Sequence, residues 1–205
     1  MIDNFNEISK LLEFPNDQTF YFIQILQRKK DHAQGTRLGG SNNNSRLIKA
    51  YYITSVEHFF MHKEEMIKLC EVFNARACIN LNPRNFEKAA FQLLQKVANQ
   101  MSNKDFYGIR KAYDSVLGNY HNEMDKRWLV DIDTKMQQQV DIVEEWINDY
   151  QRQQISNNKY KVIARIETKN GWHLITNPFN LDAFQKVFGG QYDVHKNNPT
   201  LLYCI

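Results

Sequence analysis

Two carboxylates set two residues apart close the apolar stretch Arg127-Trp128-Leu129-Val130-Asp131-Ile132-Asp133. The stretch reads as a short buried strand. Side chains alternate along a strand, so Asp131 and Asp133 project to one side and Trp128, Val130 and Ile132 to the other. Neighbouring acids repel each other and add nothing to strand stability. A hard divalent cation, Mg²⁺ or Mn²⁺, removes that repulsion by binding carboxylate oxygens. The plainer alternative is a strand running into a solvated turn, with Asp133 as N-cap of the next helix.

A second group with chemistry in it is Glu167-Thr168-Lys169-Asn170-Gly171-Trp172-His173. Asn-Gly signals a tight turn by readily supplying positive φ. The turn brings backbone N–H groups and Lys169 close to the His173 imidazole, a set able to grip phosphate oxygens. A strand histidine also serves as a purely structural group. Trp172 is expected in the core. Basic residues cluster at Arg28, Lys29, Lys30, Arg37, Arg46 and Lys49, around a Gly/Asn-rich loop at 35–44. They fit a solvated loop or an arm that grips phosphate. The cysteines Cys70, Cys78 and Cys204 are odd in number, far apart and in apolar surroundings, so free core thiols are expected and a structural zinc site is not.

These residues need elements to hold them. Residues 1–14 suggest a short amphipathic helix stopped by Pro15. Stretches 19–27 and 46–54 read as a strand hairpin around the loop. Ser55 caps a helix over 56–73, and Asn74 ends it. A strand over 75–81 is broken by Pro83, and Asn85 caps a helix with the stripe Phe86, Ala89, Ala90, Leu93, Leu94, Val97 and Met101. Residues 102–118 look helical again. After Asp133, the spacing of Met136, Val140, Val143, Ile147 and Tyr150 predicts a helix, with Asp141, Glu144 and Glu145 solvated outside its stripe. Stretches 160–167 and 172–176 form an antiparallel pair, 181–188 a helix ended by Gly189-Gly190, and 201–205 a last strand.

The expected architecture is α+β: one mixed sheet with helices on its apolar face. It forms a single domain over 1–205, with 1–45 contributing an N-terminal helix, a strand and the basic loop, and 46–205 the core. The other face would then gather Arg76, Asn80, Asn82, Asp131, Asp133, Lys161, Arg165, Glu167 and His173. A length of 205 residues, with 42% hydrophobic and 24% charged, is that of an ordinary globular protein. A formal charge of +3 is too small to argue for nucleic acid by itself. No apolar run is long enough to span a bilayer, and the first residues are no signal peptide, so a cytoplasmic location with no membrane partner is expected.

With these residues placed, the chain resembles the catalytic domain of the archaeo-eukaryotic primase (primase-polymerase) superfamily over roughly residues 45–205. Asp131-Ile132-Asp133 resembles its Asp-x-Asp motif, Gly171-Trp172-His173 its Gly-x-His, and Asp193, ahead of the last strand, its third acid. Glu167 stands where the family has a serine, Asn170 where it has a basic residue, and Leu202-Tyr203 where an arginine is common. The resemblance implies an RRM-like, primase-like core and two-metal nucleotidyl transfer, as in DNA replication. Asp131, Asp133 and Asp193 would hold two Mg²⁺ or Mn²⁺ ions, one activating the 3′-hydroxyl and one neutralising pyrophosphate. His173, Lys169 and Arg165 would hold the triphosphate. Arg28, Lys29, Lys30, Arg46, Lys49 and Arg76 would contact the template. The implied partners are a nucleic acid and a nucleoside triphosphate, with a helicase or accessory domain on another chain. Two rivals stand beside this reading. One is a metal-dependent nuclease built on Asp131, Asp133 and the Glu167-Thr168-Lys169 set. The other is a non-catalytic nucleic-acid-binding or partner-binding module, with Tyr51 as a stacking aromatic.

Overall fold

The computed structural model describes residues 1–31, 45–119, 126–152 and 161–205. Its elements run β1 (Ile2–Asp3), α1 (Phe5–Ser9), β2 (Thr19–Arg28), β3 (Ser45–Ile53), α2 (Val56–Met61), α3 (Lys63–Phe73), β4 (Arg76–Asn85) and α4 (Phe86–Ser102). They continue with α5 (Phe106–Ile109), α6 (Ala112–Asn119), β5 (Trp128–Ile132), α7 (Gln137–Arg152), β6 (Val162–Glu167), β7 (Trp172–Thr176), α8 (Leu181–Phe188), β8 (Asp193–His195) and β9 (Thr200–Cys204). The Gly/Asn loop with Arg37, and Tyr160, lie outside the described residues.

The α+β class holds, but the single mixed sheet does not: the strands form two antiparallel sheets. The larger has the order β1-β9-β4-β2-β3 and the smaller β6-β7-β5-β8. Strands 201–205 and 75–81 were expected to share one sheet with the Asp131 strand. They instead pair with each other, Arg76 opposite Cys204 and Ile79 opposite Thr200. The physical reason lies in their composition. Every residue of β9 is buried, as in a strand covered on both faces, whereas an outer wet face would need polar alternation.

The smaller sheet is built by β5-α7-β6-β7-α8-β8, with β7 inserted between β5 and β6. That is the split β-α-β of ferredoxin-like and RNA-recognition folds, so the RRM-like core is present in this half. Both helices cover one face. Val140, Val143 and Ile147 of α7 and Phe184 of α8 pack on Val130, Ile132 and Leu174. Phe184 meets Trp146 and Phe179 edge-on at 5.5 and 5.3 Å between centroids, geometry that aromatic quadrupoles favour.

On its other face the smaller sheet meets the larger one. Leu129, Ile166 and Ile175 share a core with Ile23, Ile79, Leu202 and Tyr203, and with Phe59, Met66 and Cys70 of α2 and α3. The far face of the larger sheet packs Phe20 and Phe22 on Ala89 and Leu117. Only Ala89 of α4 is buried; the expected stripe residues Leu94 and Met101 are exposed. Residues 1–31 are woven into the larger sheet: β2 lies between β4 and β3, and β1 pairs with β9.

Local signals were read correctly at the caps. Ser55 Oγ accepts from His58 N at 3.0 Å, Asn85 Oδ1 from Lys88 N at 3.0 Å, and Asn74 ends α3 in the left-handed region at φ 44°. The expected break at Pro83 does not occur. Pairing of β4 with β2 slips there, from Phe20 opposite Arg84 to Phe22 opposite Asn80, and a proline without an N–H is tolerated in such a bulge. The helix expected over 56–73 is two, broken at His62.

Asn80 and Asn82 were expected on an open polar face. Both are buried, and they stitch the sheets together. Asn82 Oδ1 accepts from Arg127 N at 2.6 Å, its Nδ2 donates to Arg127 O at 3.1 Å and Lys196 O at 3.3 Å, and Asn80 Nδ2 donates to Asn197 O at 3.0 Å. Asn82→Ala leaves those buried backbone groups without partners, so it costs about 2–3 kcal/mol. A urea titration checks this, as a fall in midpoint at unchanged slope.

Candidate functional site

Register decides what the smaller sheet can do. In β5, Asp131 stands opposite His173 of β7 on one side and opposite Asp193 of β8 on the other. Cross-strand partners point to the same face. His173, Asp131 and Asp193 therefore form one row, on the face away from α7 and α8. One step along, Ile175, Leu129 and His195 form the next row. Toward β6 this face is apolar and closed by the larger sheet; toward β8 it is acidic and open.

His173 is held at both ring nitrogens. Its Nδ1 lies 2.8 Å from Thr200 Oγ1 of β9, and its Nε2 is 3.5 Å from Asp131 Oδ1. A carboxylate can only accept, so in the neutral tautomer that turns an Nε2–H toward Asp131, Nδ1 accepts from the Thr200 hydroxyl. The His173 side chain is 15% exposed and Asp131 33%, so the pair sits at a mouth and not in the core.

Asp133 follows the strand. Thr134 N donates to Ile132 O at 2.8 Å, a one-residue turn that throws the exposed Asp133 outward at the strand end. Helix α7 begins only at Gln137, so Asp133 is not its N-cap. Gly171 packs against this turn. A Cβ there would fall 1.9 Å from Ile132 O and 2.6 Å from Thr134 N. Neither Asn170 nor Gly171 has positive φ, so the glycine is required by close approach and not by the turn conformation assumed from Asn-Gly. Thr168 closes the same turn: its N donates to Gly171 O at 2.9 Å and its Oγ1 accepts from Gly171 N at 3.0 Å.

Other expected site residues stand elsewhere. Arg165 neighbours Ile166, which shares the His173 face, so Arg165 projects to the helix side. There it donates to Asp141 at 2.7 Å and pairs with Glu144, and it holds the Asp141 carboxyl below the usual carboxylate range. Those two acids are thus engaged, not merely solvated. Glu167 is opposite Trp172 and also on the helix side, with Lys135 Nζ at 2.8 Å from its Oε1. Lys169 is exposed in the turn next to Gly171.

Of the basic residues, Arg76 is taken by a half-buried bidentate pair with Asp31, and Lys49 pairs with Glu65 and lies 4.8 Å over the Tyr51 ring. Tyr51, expected as an exposed stacking group, is 4% exposed. Lys29 and Lys30 lie in a 3₁₀ turn after β2, with Lys29 exposed, and Arg28 and Arg46 stand at the loop end of the β2–β3 hairpin. That hairpin forms the edge of the larger sheet farthest from β9. The thiols are free; burial pushes Cys78 up to about 11 against the pull of Arg28 and Arg76, and Cys70 up to about 12.

Sequence reasoning missed Thr200 and His195 as members of the site. His195 was legible: it lies two residues after Asp193 and so shares its face. Thr200 was not, because its contact crosses between sheets. Among the described residues, no three His, Cys, Asp or Glu side chains form a ready-made metal cage. Among the described residues, no helix is long and apolar enough to cross a membrane. The chain matches no family model, no curated protein and no solved structure.

Proposed function

We propose that this chain is a metal-dependent nucleotidyltransferase of the primase type, acting on a nucleic-acid template. One observation carries the proposal: Asp131 and Asp193, from distant parts of the chain, are direct cross-strand partners on the helix-free face. Like charges directly opposite each other destabilise a sheet, and such a local conflict marks a site kept for function. Oxygen donors of this kind fit Mg²⁺ or Mn²⁺. Asp131, Asp193 and the neighbouring Asp133 would hold the ions, which when bound supply activation of a 3′-hydroxyl and neutralisation of pyrophosphate.

The chain's own residues divide the remaining work. His173, fixed by Thr200 at Nδ1, borders the acids, and its Nε2, which faces Asp131, would serve a phosphate oxygen once Asp131 holds an ion. Lys169, exposed beside Gly171, adds a cation at the same end of the sheet. Arg165 has no part, being committed to α7. Template contact would fall to Arg28, Lys29, Lys30 and Arg46, which position a strand without reading sequence.

A second reading is a non-catalytic binding module. It is favoured by the two contacts of His173, which make it a tie between β9 and β5. The nuclease reading loses its support, since Glu167 faces the helices while Asp131 faces away from them.

The test is incorporation of a labelled nucleotide on a primed template with Mn²⁺. Incorporation that EDTA abolishes is the expected result. Oligonucleotide binding without incorporation, or Mg²⁺-dependent cleavage of a duplex, overturns it. Thr200→Val separates the roles of His173: with the histidine unheld, turnover falls about 10- to 100-fold through mispositioning, while Thr200→Ser restores it.

A further inference from the structure

Away from the smaller sheet, a second cluster of chemistry sits where α2 meets α3. His58 and His62 are four residues apart, so they lie on one side of the chain as it turns. Their Nε2 atoms face each other at 3.0 Å. The outer nitrogens are both engaged. His62 Nδ1 is 3.5 Å from Glu65 Oε2, and His58 Nδ1 is 3.1 Å from Thr54 Oγ1. Behind them, the Tyr51 ring packs on His62 at 5.1 Å between centroids, and Lys49 steadies Glu65. Both rings are thus fixed from outside, with their Nε2 edges turned to a common point. His62 remains 30% exposed, which leaves an approach from solvent.

We propose that His58 and His62 form a two-imidazole site for a divalent transition metal, Zn²⁺ above all, with water completing its coordination. Zinc binds imidazole nitrogen at about 2.0–2.1 Å, so two ligands on one tetrahedral ion lie about 3.3 Å apart. A shift of a few tenths of an ångström converts the observed facing pair into that arrangement. The carboxylate on the far nitrogen of His62 is the outer-shell partner that orients a ligating histidine and raises its basicity. The donors also separate this site from the sheet: imidazole selects zinc, copper or nickel, whereas carboxylates select magnesium or manganese. The inference is therefore independent of the proposed activity.

The full chain, stripped of metal, is titrated with Zn²⁺ by calorimetry. One site is expected that persists in Asp131→Asn. His58→Gln and His62→Gln each weaken it at least tenfold, and Glu65→Gln weakens it about 10- to 100-fold, as loss of an outer-shell partner does. Ring signals in the unaltered protein give a readout that needs no variant: Zn²⁺ perturbs His58 and His62 among its six histidines. Zinc affinity unchanged in His58→Gln/His62→Gln overturns the proposal. So does Zn²⁺ that perturbs other histidines and leaves this pair unmoved.

Discussion

On the proposed nucleotidyltransferase reading, Asp131→Asn is expected to lower Mn²⁺-dependent nucleotide incorporation by a factor on the order of 10³ or more, and in EDTA to leave the protein as stable as before or more so. Both halves follow from the register. Asp131 faces Asp193 directly, and a like-charged cross-strand pair costs several tenths to about 1 kcal/mol. Asparagine keeps the shape and removes one charge, so the metal-free sheet relaxes. The same change removes the ligand charge that would draw cations to this face. The loss should equal or exceed the 10²–10³ that follows removal of one preorganised electrostatic group in other active sites. Assays of incorporation and urea denaturation are read together. A variant that loses stability by more than about 1 kcal/mol would make the His173–Asp131 contact a structural tie and would favour the binding-module reading.

Gly171→Ala has the largest expected effect on the fold. The added methyl would overlap the Ile132 carbonyl and the Thr134 amide, both backbone atoms that cannot rotate away. Either the turn at Asp133 or the β6–β7 turn must move. Overpacking of this kind costs about 3 kcal/mol or more, and here it also breaks the Thr168–Gly171 hydrogen bonds. The urea midpoint falls strongly, and on the proposed reading residual folded protein would incorporate nucleotide poorly because Asp133 is displaced. Thr168→Ala, which removes one hydrogen bond without adding bulk, costs only about 1 kcal/mol. Equal effects of the two substitutions would mean that the close approach is unimportant.

Local chemistry was legible in the sequence, and inter-sheet chemistry was not. Alternation gave the faces of β5 correctly, and the caps Ser55, Asn74 and Asn85 announced their helix ends by residue type. Helix α8 has the bounds expected for it, because apolar spacing and Gly189 leave little choice. What failed depended on distant partners. Arg165 looked like a site residue until α7 supplied Asp141 and Glu144. Asn80 and Asn82 looked solvent-facing because nothing local reveals that Arg127, Lys196 and Asn197 will bond them. The split of the expected single sheet into two was hidden, since a fully apolar strand such as 201–205 carries no face signal with which to choose its neighbours. Gly171 was recognised as necessary for the wrong reason: the sequence signals a turn, while the need arises from β5, some forty residues earlier.

Strand β9 brings one more consequence. It lies between β1 and β4 in the larger sheet, and its Thr200 reaches across to the imidazole beside the acids. Residues 200–204 must therefore leave the ribosome before either the first strand can dock or the histidine can be aligned. Long-range pairings of this sort close late, because their loop entropy is spent before contacts repay it. A nascent chain cut short of β9 would carry Asp131, Asp133 and Asp193 without Thr200 to hold the imidazole beside them. The proposed site would then be completed only when β9 pairs.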